Sequence, residues 1–303
     1  DQANPASLGN NVIVSLFIDK QQKLWIGSYY GGLDYFDGNK FTHYRHDPAD
    51  SNSLSDDRVW EIFEDSRGRM WIGTLGNGLD LFDREKKIFK HYKPYLPNSI
   101  RSNYVADFME DKAGNLWIAT SDGLNILDPA GNFSYYQHQS GNPESISNNN
   151  LTAIVQDKRG WIWVGSHDGL NVYTAPGKKM MTLHSRDGLP HNTILTLVED
   201  KNGWIWAGTP NGLASILPDE KGELKNFRFI NYDERDGLQG REFNENAALR
   251  TSKGELLFGG AGGFNLFMPP GAKPRRFETQ LVLNSFQVFN RPVDVGEKID
   301  EQI

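Results

Sequence analysis

An all-β fold follows from three features of this 303-residue sequence: glycine (31) and proline (14) are frequent, short runs alternate apolar and polar residues, and one Trp-centred motif returns at a steady period. Such a chain forms many short strands joined by tight turns. The motif reads LWIGS (24–28), MWIGT (70–74), LWIAT (116–120), IWVGS (162–166), IWAGT (205–209) and LLFGG (256–260). Its key positions, Trp25, Trp71, Trp117, Trp163, Trp206 and Leu257, are separated by 46, 46, 46, 43 and 51 residues. A period in the mid-forties is the length of one four-stranded propeller blade, about 40–50 residues. The sequence therefore predicts a β-propeller of four-stranded blades in six repeats.

Each repeat can be drawn strand by strand. Strand A is an apolar run ending in an acid: SLFID (15–19), EIFED (61–65), DFMED (107–111), AIVQD (153–157) and TLVED (196–200). An Asp-x-x-Gly hairpin follows, as in Asp65 to Gly68, in which Asp bonds the turn backbone and Gly accepts positive φ. Gln22 replaces the Gly in the first copy and Thr251 the Asp in the last, which predicts less regular turns there. Strand B carries the Trp, and a Gly-Leu link such as Gly78-Leu79 leads into strand C. Strand D alternates as an outer strand should, in FTHY (41–44), FKHY (89–92) and FSYY (133–136). Strand B is apolar on both faces, so each blade is expected to cover its neighbour in a radial stack. The Trp, Gly-Leu and Asp-x-x-Gly columns recur in the blades and read as packing and turn geometry. The sixth repeat, Arg241 to Met268, lacks the Trp and shows no strand D before Pro269-Pro270.

A formal charge of −7 and the absence of a basic stripe argue against nucleic acid as a partner. With no cysteine, disulfides and thiolate metal sites are excluded. No run of 18 apolar residues is present, and the opening DQANPASLGNN has no secretion-signal features. The chain begins in a loop and ends in a charged segment, which reads as a piece of something longer. Among the histidines, His43 and His91 hold the same outer-strand position and are expected at the surface, and His46, His138, His184 and His191 fall in or beside loops. No paired-His metal pattern, nucleophile elbow or phosphate loop is present; the GGAGG run (259–263) is a strand-to-strand link. No catalytic residue, metal or cofactor is expected in this chain.

The stretch YVADFMEDKAGNLWIATSDGL (104–124) resembles the two-component regulator propeller repeat, and the linkers DPADSNSLSDD (47–57) and SGNPESISNNN (140–150) resemble the loops between such repeats. The resemblance covers nearly the whole chain. It implies the periplasmic sensor region of a membrane-anchored, Bacteroides-type hybrid sensor histidine kinase and response regulator. In that family two propellers precede an immunoglobulin-like Tyr-rich domain, and a membrane span, a histidine kinase and a response regulator follow. Residues Phe277 to Pro292 resemble the first strand and hairpin of the Tyr-rich domain. The expected division is thus 1–272 as propeller and 273–303 as linker and beginning of that domain. Propellers of this family commonly have seven blades, which would make six repeats an incomplete ring. The implied partners are oligosaccharides from polysaccharide breakdown, the adjacent propeller and Tyr-rich domain of the parent chain, and a second copy in a homodimer, with the signal passing to transcription.

The B–C links and D–A loops share the top face, where ligands should bind. The link residues differ between blades: Tyr29 and Tyr30, Asn77, Asp122, His167 and Asp168, and Asn211. The start of strand A is equally irregular and supplies Arg58 and Tyr104, with Trp60 and Arg101 nearby. Aromatic rings there can stack on a sugar, and Arg58 or Arg101 can pair with a uronate or sulfate. The preceding column, Asn11, Asp57, Asn103, Asn149 and Asn192, is uniform and reads as loop-to-strand capping. Two rival readings remain: a protein-interaction scaffold, and a polysaccharide lyase-like enzyme using His167 with Asp168, or His191, as an acid–base group.

Overall fold

A computed structural model describes residues 6–174, 180–218 and 227–270, with the backbone of two further short strands. Blade 1 comprises β1 (Ile13–Ile18), β2 (Leu24–Ser28), β3 (Leu33–Phe36) and β4 (Phe41–Tyr44). Blade 2 comprises β5 (Val59–Glu64), β6 (Met70–Thr74), β7 (Leu79–Asp83) and β8 (Ile88–Tyr92). Blade 3 holds β9 (Val105–Glu110), β10 (Leu116–Thr120), β11 (Gly123–Leu127) and β12 (Phe133–Tyr136). Blade 4 holds β13 (Leu151–Gln156), β14 (Ile162–Ser166), β15 (Gly169–Tyr173) and β16 (Met181–Leu183). In blade 5 are β17 (Thr196–Glu199), β18 (Ile205–Thr209), β19 (Gly212–Leu217) and β20 (Arg228–Tyr232). Blade 6 has, among the described residues, the three strands β21 (Phe243–Arg250), β22 (Leu256–Gly260) and β23 (Gly263–Phe267). Each sheet is an antiparallel meander, and the fold is a six-bladed propeller almost without helix.

Residues Asp1–Pro269 form one compact unit and Pro270–Ile303 another. In the second, β24 (Gln287–Val288) and β25 (Arg291–Pro292) pair as a short antiparallel hairpin. The rest of the segment expected to open the Tyr-rich domain lies outside the described residues.

The core is not at the centre of any one sheet but between sheets. Trp25 of blade 1 packs with Leu54, Ile62, Met70 and Phe82 of blade 2, and Trp71 of blade 2 with Val105, Phe108 and Ile118 of blade 3. The same arrangement repeats around Trp117, Trp163 and Trp206, with Phe243 and Phe258 of blade 6 covering the last. The outward faces of the terminal blades are not covered in this way. Leu16 and Ile18 of β1 are 68% and 62% exposed, and Phe264 and Leu266 of β23 are 65% and 50% exposed.

The hairpin aspartates anchor the Trp column. In blade 2, one oxygen of Asp65 accepts the backbone N–H groups of Arg67 (3.1 Å) and Arg69 (2.9 Å), and the other accepts the Trp71 indole N–H at 2.9 Å. Asp19, Asp111, Asp157 and Asp200 make the same indole bond to the Trp six residues on. The neighbouring glutamates serve the next interface: Glu64 accepts the N–H of Lys20 in blade 1, and Glu110 that of Ser66 in blade 2. The two altered turns keep their shape. Gln22 adopts φ 62° and bonds back to Asp19, and the Thr251 hydroxyl accepts the N–H of Glu255 at 3.2 Å. In the B–C link glycine is required: at Gly78, with φ 83°, an added Cβ would meet the Tyr92 carbonyl at 2.5 Å.

His43 and His91 correct the expectation of plain surface residues. Each Nδ1 contacts a buried aspartate, at 2.8 Å for His43 and Asp34 and 2.7 Å for His91 and Asp80. The Asp80 carboxylate, the largest cause, pushes the His91 pKa above its ordinary value.

Candidate functional site

The top face is built by hydrogen bonds between each B–C link and the following D–A loop. The N–H of Gly78 donates to the Asn103 carbonyl, Gly123 to Asn149, and Gly169 to Asn192. The uniform Asn/Asp column thus caps loops as expected, and its side chains add to this: Asn149 receives the N–H of His138 and Asn192 that of Ser185.

Several link residues proposed from sequence as ligand contacts are bonded to the D–A loops on either side of their blade. Asn77 donates to the Ser55 carbonyl, Asp122 accepts from Gln137, Asp168 accepts from Asn192, and Asn211 donates to the Pro190 carbonyl. Arg101 places its guanidinium 3.8 Å from the centre of the Tyr135 ring, on the outer strand of blade 3.

The remaining candidates gather at the channel mouth. In blade 2 the β5–β6 register shifts between Val59 and Glu61, leaving Trp60 as the extra residue of a bulge. Bulges re-aim side chains, and Trp60 meets Tyr104 of blade 3 edge-on, with ring centres 5.6 Å apart and planes at 89°. Tyr29 and Tyr30 pack edge-on at 4.6 Å, and Tyr30 is 67% exposed. Both lie near enough to Arg58 to favour its charge, although its main partner is Asp56, bound through Nε (2.9 Å) and a terminal nitrogen (2.6 Å).

Blade 6 closes the mouth from the far side. The β21–β22 register passes from Phe243 opposite Gly260 to Ala248 opposite Phe258, a bulge larger than those of the other blades. Its residues reach across the channel. Glu245 accepts the Tyr104 hydroxyl at 3.1 Å and stands 3.7 Å from Nε2 of His167 in blade 4. Asn246, at φ 55°, donates to the Trp60 carbonyl (3.0 Å) and to the Glu61 carboxylate. Burial, and then the charge of Glu245, pushes the Tyr104 hydroxyl well above its ordinary pKa.

Below this ring, Glu61 on β5 and Asp107 on β9 face the channel. Burial raises both carboxyl pKa values above the ordinary carboxylate range, and for Glu61 the charge of Asp107 adds to the rise. Asp107 accepts the N–H groups of Phe108 (2.7 Å) and of Ile154 in blade 4 (2.8 Å).

Glu61, Asp107, Glu245 and Asn246 were not among the residues singled out from sequence. Two signals pointed to them: acids inside otherwise apolar inner strands, VWEIFE and VADFME, and the lengthened spacing of 51 residues before Leu257. Among the described residues no cluster of three or more His, Asp or Glu side chains is arranged to hold a metal, and no helix is long and apolar enough to cross a membrane.

The fold and this mouth define a repeat propeller with a polar, aromatic-rimmed channel. Residues 7–30, 53–76, 99–122, 145–168 and 188–211 match the model of the two component regulator propeller, and these five segments are repeats of that family. The extracellular domain of a hybrid two component system from B. thetaiotaomicron is similar over 98% of this chain and 45% of its own, with TM-score 0.65 and 21% identity. PorZ, a surface component of the type-IX secretion system of Porphyromonas gingivalis, is similar over 86% of this chain and 40% of its own (TM-score 0.61, 18% identity). Virginiamycin B lyase from Staphylococcus aureus shares the fold over 86% of each chain (TM-score 0.62, 14% identity). In sequence, "Histidine kinase P4" of Formosa agariphila is 32% identical over 65 residues, which are 22% of this chain and 5% of that protein. The chain therefore spans less than half the length of the first two solved relatives and a small part of the kinase.

Proposed function

We propose that this propeller is an extracytoplasmic ligand-sensing module of a hybrid two-component sensor histidine kinase, and that it binds oligosaccharides at the channel mouth. The observation that carries the reading is the crossed pair Trp60 and Tyr104, 5.6 Å apart and rimmed by Tyr29 and Tyr30. A bulge-directed Trp beside three Tyr residues offers apolar ring faces with polar edges, the chemistry that stacks on a pyranose and bonds its hydroxyls. The regulator-propeller repeats and the likeness to an extracellular sensor domain support the signalling role. In the parent protein the adjacent propeller, the Tyr-rich domain and a second copy would carry the signal onward to the kinase, with the kinase chemistry outside this chain.

One observation favours a second reading. Tyr104, Glu245 and His167 converge in the channel mouth, and such a trio can also move protons. Calorimetric titration of this chain with plant and host-glycan oligosaccharides, with turnover assayed in the same tubes, separates the two. Binding without product supports the sensor; product formation supports a lyase-like enzyme. Silence here and in a longer chain carrying both propellers favours a protein-interaction scaffold.

A further inference from the structure

The charge of the mouth limits which sugars it can take, an inference that rests on reading the mouth as a sugar site. A site for uronates or sulfated sugars needs a cation free to meet the anion. Among the described residues the arginines of the top loops have acidic or aromatic neighbours, the loosest being Arg186 at 3.9 Å from Asp187. Arg58 is held by both oxygens of Asp56, and Arg45 pairs with Asp34 at 2.8 Å. Arg235 pairs with Asp233 at 2.6 Å and Arg241 with Glu234 at 3.3 Å. Arg101 lies against the Tyr135 ring, turned to the outer strand of blade 3. His167, on the mouth itself, already faces Glu245.

The acids below the mouth, Glu61 and Asp107, have no cationic partner among the described residues. The hydrogen-bond donors to Glu61 are neutral, the side chains of Asn246 and Ser15 and the Ile62 N–H, and those to Asp107 are backbone N–H groups. Glu245 stands above them with Tyr104 and His167. The raised pKa values of Glu61 and Asp107 agree with a channel that resists further negative charge. An anionic sugar entering past Trp60 would meet the Glu245 carboxylate, where like charges repel, and below it two carboxyls that burial keeps from ionising and that offer the anion no opposite charge.

We propose that the channel mouth selects uncharged or cationic oligosaccharides and excludes uronates and sulfated sugars, with Glu245 as the specificity-determining residue. The matched probe is a galacturonic acid tetramer against its fully methyl-esterified form, which differs only in charge and the ester methyls. Neutral cellotetraose and xylotetraose and a cationic glucosamine tetramer complete the set. The expected result is that the acid tetramer binds at least tenfold more weakly than its ester and than the best neutral or cationic tetramer. In Glu245→Gln that gap should narrow at least threefold, while in the double variant Glu61→Gln, Asp107→Asn it should change less than twofold, with melting curves confirming that the variants fold. An acid tetramer that binds as tightly as its ester, or a gap unchanged in Glu245→Gln, overturns the charge rule alone. Absence of binding by every tetramer overturns the sugar reading and the charge rule with it.

Discussion

Tyr104 and Glu245 are 141 residues apart in sequence, yet the Tyr104 hydroxyl donates to the Glu245 carboxylate at 3.1 Å across the channel. This bond joins blade 3 to blade 6 directly, where the blade stack alone would connect them only through blades 4 and 5. Tyr104→Phe should therefore cost about 1.5–3 kcal/mol, the range for a hydrogen bond to a charged group. Thermal melts monitored by Trp fluorescence would check it, and Tyr104→Phe combined with Glu245→Gln should cost little more than either change alone.

The Asp65–Trp71 pair makes a second prediction. Trp71 is fully buried and its indole is bonded to Asp65. Trp71→Ala should cost about 3–5 kcal/mol through the cavity it leaves. Asp65→Ala should cost less, about 1–3 kcal/mol, through unsatisfied indole and turn donors. Denaturant titrations of the two variants would give that order.

Stability should also depend on pH in two opposite windows. Glu61 and Asp107 have folded-state pKa values raised by burial, so the folded chain holds these protons more tightly than the unfolded one. Their contribution is complete below the unfolded carboxylate value and is lost as pH rises through the raised folded values. For Asp65, burial acts to raise the pKa, but the Trp71 indole and Arg69 outweigh it and hold the value below the ordinary one. Its contribution is present above the unfolded pKa and is lost as pH falls through the folded one. Melting temperature against pH should pass through a maximum, and the double variant Glu61→Gln, Asp107→Asn should flatten its alkaline side while leaving the acid side in place.

The exposed apolar faces of blades 1 and 6 should be measurable with an environment-sensitive dye. Leu16, Ile18, Phe264 and Leu266 present their side chains to solvent on strands that alternate as buried-face strands do. Dye fluorescence of the folded chain should be high and should fall when Leu16→Glu and Phe264→Glu are combined, with little change in melting temperature.

The blade pattern was legible in the sequence because one physical constraint repeats. The Trp face, the Gly-Leu link and the Asp hairpin must each satisfy the same packing in successive blades, so they return at a fixed period. Even the departures at Gln22 and Thr251 fold into the same turn: Gln22 takes up the positive φ, its N–H bonded to the Asp19 carbonyl, and the Thr251 hydroxyl replaces the carboxylate as acceptor. The mouth was only half legible. Tyr29, Tyr30, Arg58, Trp60, Tyr104 and His167 stand out in the sequence because they break the repeat at the top face, and the structure places them near one another. Asn77, Asp122, Asp168 and Asn211 break it too, but in the structure they brace the loops, a role that several polar side chains fill equally well. For Glu245 and Asn246 the long spacing before Leu257 marked the region but not the role, because their contacts are with residues of blades 2, 3 and 4, which no local pattern in blade 6 can reveal.

The most direct test of the proposed mouth is calorimetric titration of the best-binding neutral oligosaccharide against the wild-type chain and Trp60→Ala. Trp60 contributes its ring to the mouth while its backbone carbonyl, bonded by Asn246, is kept in the variant. The predicted result is binding without turnover in the wild type and at least a tenfold loss of affinity in the variant, as expected for a central aromatic anchor. Equal affinity in the two proteins would contradict a sugar site at the channel mouth.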